Sequence, residues 1–210
     1  MEAARHTASL LGSARHTVAR LGGIEGNEIL TSAVAAVLTV LLAVEGITII
    51  LIGNLLSLHM FLGLVLIGPL VLKLSSTGYR FLRYYTRAPS YLEKGPPLLA
   101  LRLMAPLLVL STVAVFATGV WLLLLGHKSD QVLFLHKVAF FIWGAVFLVH
   151  FFAYLPRMVR SLGVDWGSVR RRAVPGSGLR GLLVAASIAV GLVLALALLG
   201  TISAWHGVSG

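Results

Sequence analysis

The chain alternates between long apolar runs and short polar segments, and this pattern predicts membrane-spanning helices. A membrane helix needs about 20 mostly apolar residues. Five runs meet this requirement: residues 30–52, 55–74, 98–125, 132–155 and 181–204. They are continuously apolar and do not alternate with polar positions, which favours helices over strands. We therefore expect an all-α, multi-pass membrane domain of five transmembrane helices over residues 29–206, in contact with lipid.

Composition supports this class of protein and excludes others. Hydrophobic residues make up 58% of the chain and charged residues 11%, whereas soluble domains carry roughly 25% charged residues. The net charge of +10 does not indicate nucleic-acid binding, because apolar runs separate the basic residues. The absence of cysteine excludes iron–sulfur clusters, c-type haem attachment and thiol catalysis by this chain.

The distribution of the basic residues predicts the orientation. Fifteen of the 17 lysines and arginines lie in the N-terminal tail or around the second and fourth inter-span segments, which leaves Lys128 and Lys137 on the other side. Basic residues mark cytoplasmic segments, so we expect a cytoplasmic N-terminus and an extracytoplasmic C-terminus.

The ends and connections of the predicted bundle are polar. Residues 1–28 are expected to form a cytoplasmic amphipathic segment rather than a cleaved signal peptide. The basic, tyrosine-rich stretch over residues 75–97 is expected to be an interfacial loop, and residues 207–210 a short tail. The richness in Ala, Arg, Gly and Leu suggests a GC-rich bacterial genome and hence the bacterial cytoplasmic membrane.

Three histidines, His59, His136 and His150, lie inside predicted spans. Ionisable side chains at membrane depth are costly, so each is a candidate functional residue, although each alone could equally be a hydrogen-bonding group between helices. His136 and His150 are 14 residues apart on one span, which places them on one helix face at opposite depths. His59 and His136 each lie about one turn inside the outer end of their span. Two facing imidazoles at one depth suit the axial positions of a six-coordinate b-type haem.

This arrangement resembles the membrane dihaem cytochromes b, which include the cytochrome b561-like proteins, the ferric-reductase-like membrane domains and the cytochrome b subunits of respiratory complexes. The resemblance covers roughly residues 50–156 and rests on histidine spacing. It implies haem b, with His59 and His136 as the axial ligands of the haem iron. The family pattern would place another histidine at position 73, where this sequence has Lys73.

Two residues near the outer histidines are candidate haem contacts. Gly63 lies one turn beyond His59 and would leave room for the flat macrocycle, although glycine is also common in membrane helices for packing. Lys137 could meet a haem propionate at the outer surface. Glu45, in the outer half of the first span, could pair with Lys137, relay a proton or serve as a buried packing acid, and the sequence leaves these three roles open.

At the inner end, His150 faces Lys73, and three interpretations compete. In the first, no inner haem is bound and Lys73 extends to the cytoplasmic headgroups. In the second, His150, Lys73 and Arg102 form a polar pocket for a quinone headgroup. In the third, a second haem is held by His150 with Lys73 or another partner, which requires the lysine to lose its proton.

These features favour a haem b-binding membrane subunit that passes electrons between a quinone, such as menaquinone, and an extracytoplasmic redox protein or larger respiratory complex. One haem is expected, with a second as an alternative. The chain has no nucleotide-binding fingerprint, so a partner must complete any oxidoreductase. The alternative is a cofactor-free scaffold or accessory subunit of a complex. A small-solute transporter is disfavoured, because five spans show no inverted-repeat pattern.

Overall fold

The computed structural model describes residues 23–93, 99–166 and 174–205, and these residues are almost entirely helical. The helices are α1 (Gly23–Ile50), α2 (Ile52–Tyr85), α3 (Pro89–Leu92), α4 (Leu99–Leu125), α5 (Asp130–Trp166), α6 (Ser177–Ala197) and α7 (Leu199–Ala204). No strand occurs within these three ranges. Helices α1, α2, α4, α5 and α6 contain segments long and apolar enough to cross a membrane. The expected all-α architecture, with five helices long and apolar enough to span a membrane, is confirmed for the described residues.

Three helices are longer than the apolar runs that predicted them, and the first of them, α1, already begins at Gly23. Helix α2 continues through the basic, tyrosine-rich stretch to Tyr85, and α5 continues past residue 155 to Trp166. The interfacial loop expected from residue 75 is therefore helical over its first half. Hydropathy shows where the apolar side chains end. A helix can continue beyond that point as long as its backbone hydrogen bonds are made and its polar side chains are solvated. Most of the predicted N-terminal segment (residues 1–22) and the tail (207–210) lie outside the described residues.

The first two long helices are joined by a tight turn. Backbone N–H groups of Asn54 and Leu55 both donate to the carbonyl of Leu51, at 2.9 and 3.0 Å. Leu55 has non-helical backbone angles (φ −119°, ψ 19°). The chain therefore reverses over residues 51–55, and His59 follows one turn later.

Helix α1 packs against α2, α5 and α6, α2 also packs against α6, and α4 packs against α5. Helices α2 and α6 approach most closely where two glycines meet the facing backbone. A Cβ atom at Gly68 would overlap the carbonyl oxygen of Ser187, and one at Gly191 would overlap that of Val65. By contrast, α2 and α5, which carry the candidate histidines, are not a closely packed pair.

Candidate functional site

Four helices bring polar side chains together at one end of the bundle, which we call the His59 end. The rings of His59 on α2 and His136 on α5 have centroids 6.4 Å apart and planes inclined at 72°. Their meeting follows from topology: α2 and α5 run in the same direction, and each histidine lies about two turns from the start of its helix. The expected match in depth between these two histidines is therefore present in the structure.

On one side, His59 contacts an acidic residue of α1. Its Nδ1 atom lies 2.9 Å from Glu45 Oε1 and 3.2 Å from Thr48 Oγ1. The Thr48 hydroxyl lies 2.7 Å from the Glu45 carbonyl oxygen and 3.2 Å from Glu45 Oε2. Glu45 and Thr48 are 7% and 1% exposed, so this carboxylate is a buried group whose interaction with His59 partly offsets the cost of burial.

On the other side, His136 contacts α4. Its Nδ1 atom lies 3.1 Å from the carbonyl oxygen of Val115 and 3.0 Å from Thr118 Oγ1. The Thr118 hydroxyl itself donates to the Ala114 carbonyl at 2.7 Å, which leaves its oxygen lone pairs directed to His136. A Cβ atom at Gly119 would lie 3.1 Å from His136 Cε1, so glycine provides the space that the ring occupies.

These contacts define the tautomer of both rings. A carbonyl oxygen can only accept, so His136 must donate from Nδ1 to Val115, and the same logic applies to His59 beside the carboxylate of Glu45. In a neutral imidazole, the remaining lone pair is then on Nε2. Histidines that bind metals characteristically donate from the non-ligating nitrogen to a carboxylate or a backbone carbonyl. Each of the two rings could therefore bind a metal or a metal-containing cofactor through Nε2.

The spacing of the rings also fits a haem. Imidazole nitrogens bind transition metals at about 2 Å and half a ring adds about 1 Å on each side, so ring centroids across one iron lie about 6 Å apart. The observed separation is 6.4 Å. No group of three or more His, Asp or Glu side chains suited to a bare metal ion occurs in residues 23–93, 99–166 and 174–205. A haem needs only two ligands from the protein, because its macrocycle supplies the other four.

The remaining outer candidates lie close by or at the surface. A Cβ atom at Gly63 would lie 3.7 Å from Glu45 Oε1, so Gly63 borders the carboxylate as well as the His59 face of α2. Lys137 is exposed. Glu45 contacts His59, rather than Lys137 as one of the three sequence hypotheses proposed.

The predicted inner candidates do not form one cluster. His150 stacks on Tyr154 with centroids 4.6 Å apart, and its Nδ1 atom is buried without a hydrogen-bond partner in the described part of the chain. Lys73 donates from Nζ to the carbonyl oxygen of Thr31 at 2.9 Å.

Arg102, the third inner candidate, is held elsewhere. It donates from Nε to the hydroxyl of Tyr85 at 2.7 Å, and its guanidinium lies 5.1 and 5.7 Å from the ring centres of Tyr85 and Tyr84. The structure therefore joins Arg102 to the tyrosine-rich end of α2.

Aromatic side chains contact one another along the middle of α5. Trp143 stacks on Phe147 at 4.7 Å and contacts Phe140 at 6.1 Å. These three aromatic residues lie between His136 and His150 along the chain.

Sequence analysis missed the residues that orient the histidines. Thr48, Thr118 and Gly119 were not singled out, because small polar residues are common inside membrane helices. A usable signal existed for two of them: Thr118 and Gly119 form a polar, small pair in an apolar run, at the depth of His136.

Comparison of the chain with protein-family models, curated proteins and solved structures gives no match.

Proposed function

We propose that the chain is a haem b-binding membrane subunit that passes electrons between a membrane quinone and an extracytoplasmic redox partner or respiratory complex. The observation that carries this proposal is the pair of imidazoles of His59 and His136. Their centroids are 6.4 Å apart, and each uses Nδ1 for a partner on a neighbouring helix, so both have Nε2 available for iron. Haem would supply reversible one-electron chemistry.

The protein's own residues would bind and orient the cofactor and exclude water. His59 and His136 would be the axial ligands, while Glu45, Thr118 and the Val115 carbonyl hold the two rings. A buried apolar cluster lies at the same end, and its members are Leu64, Val65, Leu123, Ala195 and Ile202. Such a dry surrounding limits solvent access and influences the potential of a bound redox group.

The distribution of basic residues supports the orientation in this proposal. Fifteen lysines and arginines would be cytoplasmic, so the N-terminus would be inside and the His59 end near the extracytoplasmic face of a bacterial inner membrane. The partner would then approach that face. At the opposite end, Lys73 and the unpartnered, buried Nδ1 of His150 would offer polar groups to a quinone headgroup.

The test is haem binding by the full chain, purified in detergent from cells supplied with haem precursor. We expect b-type Soret and α bands in the reduced-minus-oxidised spectrum and about one haem per chain. His59→Ala and His136→Ala should each abolish the bands, because each removes one axial ligand. His127→Ala is the matched control, since His127 is exposed and its Nδ1 atom contacts only the nearby Leu125 carbonyl among described residues.

Other outcomes would contradict specific parts of the proposal. A wild-type protein without these bands would favour the cofactor-free scaffold, in which His59 and His136 serve only as hydrogen-bonding groups between helices. His150→Ala should retain most of the haem, and a loss equal to that of the other two variants would indicate a haem at the inner end. Failure of a quinol to reduce the bound haem would contradict the quinone part alone.

A further inference from the structure

The two candidate ligands have chemically different supports. His59 Nδ1 is 2.9 Å from a carboxylate oxygen of Glu45, whereas His136 Nδ1 contacts a backbone carbonyl and a hydroxyl. One ring therefore donates to an anion and the other to neutral acceptors. A hydrogen bond to an ionised acceptor is roughly twice as strong as one between neutral groups.

Glu45 is also buried close to His59, so its charge should act on a group bound there. It is 7% exposed, and its Oε1 atom lies 2.9 Å from His59 Nδ1. Thr48 lies within hydrogen-bonding distance of both Glu45 Oε2 and His59 Nδ1, which limits the freedom of the carboxylate. Because a buried charge is screened less than an exposed one, Glu45 should act strongly on any cation bound at His59.

From this asymmetry we propose that Glu45 is the positioning residue of His59 and lowers the reduction potential of the bound haem. The inference rests on the proposed function. The carboxylate accepts the Nδ1 proton, so it fixes the orientation of the ring and makes Nε2 a more basic ligand. A more basic ligand and a nearby negative charge both stabilise ferric iron relative to ferrous iron. Glu45 acts through His59 and need not touch the cofactor.

The decisive variant is Glu45→Gln, which keeps the size of the side chain and an acceptor oxygen but removes the charge. We expect it to retain one six-coordinate haem while its midpoint potential rises above that of the wild type. Glu28→Gln is the matched control, because Glu28 lies on the same helix, at the opposite end, and pairs with Arg80 at 3.1 Å. This control should leave the potential unchanged.

Two further variants separate positioning from charge. Glu45→Leu should raise the potential as Glu45→Gln does and also weaken haem binding, by about 10- to 100-fold for the loss of such a supporting contact. Because Glu45→Leu also lacks the charge, the midpoint potential can be measured on this variant if Glu45→Gln does not accumulate in cells. Thr118→Val should shift the potential less, because the Val115 carbonyl still accepts from His136 at 3.1 Å.

The failures are distinguishable. If the wild type binds no haem, both the proposed function and this inference are overturned. If it binds haem through His59 and His136, but Glu45→Gln and Glu45→Leu titrate at the wild-type potential, only the role of Glu45 is refuted.

Discussion

Replacing Gly119 with alanine tests whether α4 shapes the space for the His136 ring. The new Cβ atom would lie 3.1 Å from His136 Cε1, whereas carbon atoms pack best at about 3.5–4.0 Å. The ring must therefore retreat by about 0.5 Å, and its contacts with Val115 and Thr118 oppose that movement. Overpacking of this kind typically costs about 1–3 kcal/mol.

The matched control is Gly144→Ala on α5, where a Cβ atom would meet nothing within 4 Å. Both substitutions gain about 1 kcal/mol of helix propensity, so the difference between them isolates the contact with His136. For a chain of this size, 1 kcal/mol shifts the melting temperature by roughly 2–4 °C. The Gly119 variant should therefore melt about 2–12 °C below the Gly144 variant.

The assay is thermal unfolding of both variants in the same detergent, followed by measurement of retained haem. A ligand site tolerates displacement of about 0.5 Å before its function suffers, so Gly119→Ala should also release haem more readily. Equal melting temperatures and equal haem retention in the two variants would refute the reasoning. A shift in melting temperature without loss of haem would support the contact but contradict its role in binding.

Two other predictions concern packing and ionisation. Gly191→Ala should lower the unfolding temperature relative to Gly181→Ala, because only the former places a Cβ atom against the Val65 carbonyl, and equal unfolding of the two would contradict this close helix contact. Burial, and secondarily the neighbouring Tyr79, raises the pKa of Tyr91 to about 12 from a usual value of 10.0. The folded state thus keeps this proton to higher pH than the unfolded chain, so the free energy of unfolding should fall as pH rises from 10 to about 12. Tyr91→Phe should remove one tyrosine that titrates near 12 in the ultraviolet absorbance, and an unchanged titration would contradict the assignment.

Hydropathy predicted the architecture because every membrane-crossing segment must satisfy its own backbone hydrogen bonds and present apolar side chains to lipid. Its boundaries were less accurate, since α2 and α5 extend beyond their apolar runs to Tyr85 and Trp166. These extensions contain many polar residues, so their composition is similar to that of loops and hydropathy alone does not identify them as helical. A helix that leaves the apolar layer does not have to end there.

The candidate site was predictable only as far as helical geometry extends. Residue spacing and the alternation of span direction placed His59 and His136 at one depth, and their rings lie 6.4 Å apart. The contact of Glu45 with His59 was not predicted, because the sequence suggested only Lys137 as a partner, beside a proton relay or a buried packing acid. Arg102 shows the same limit. Its position in the sequence suggested a place beside His150 and Lys73, whereas in the structure it donates to the hydroxyl of Tyr85 on α2.

By itself, the sequence determined that this protein forms five apolar helices with three histidines and one lysine at unusual depth. Those properties depend on local composition and on a helical period that is the same in every protein. The tertiary structure alone decided which helix faces meet, and therefore that Glu45 contacts His59 while Thr118 and Gly119 contact His136. Such pairings depend on helix rotation and close packing, which no spacing within one helix can specify.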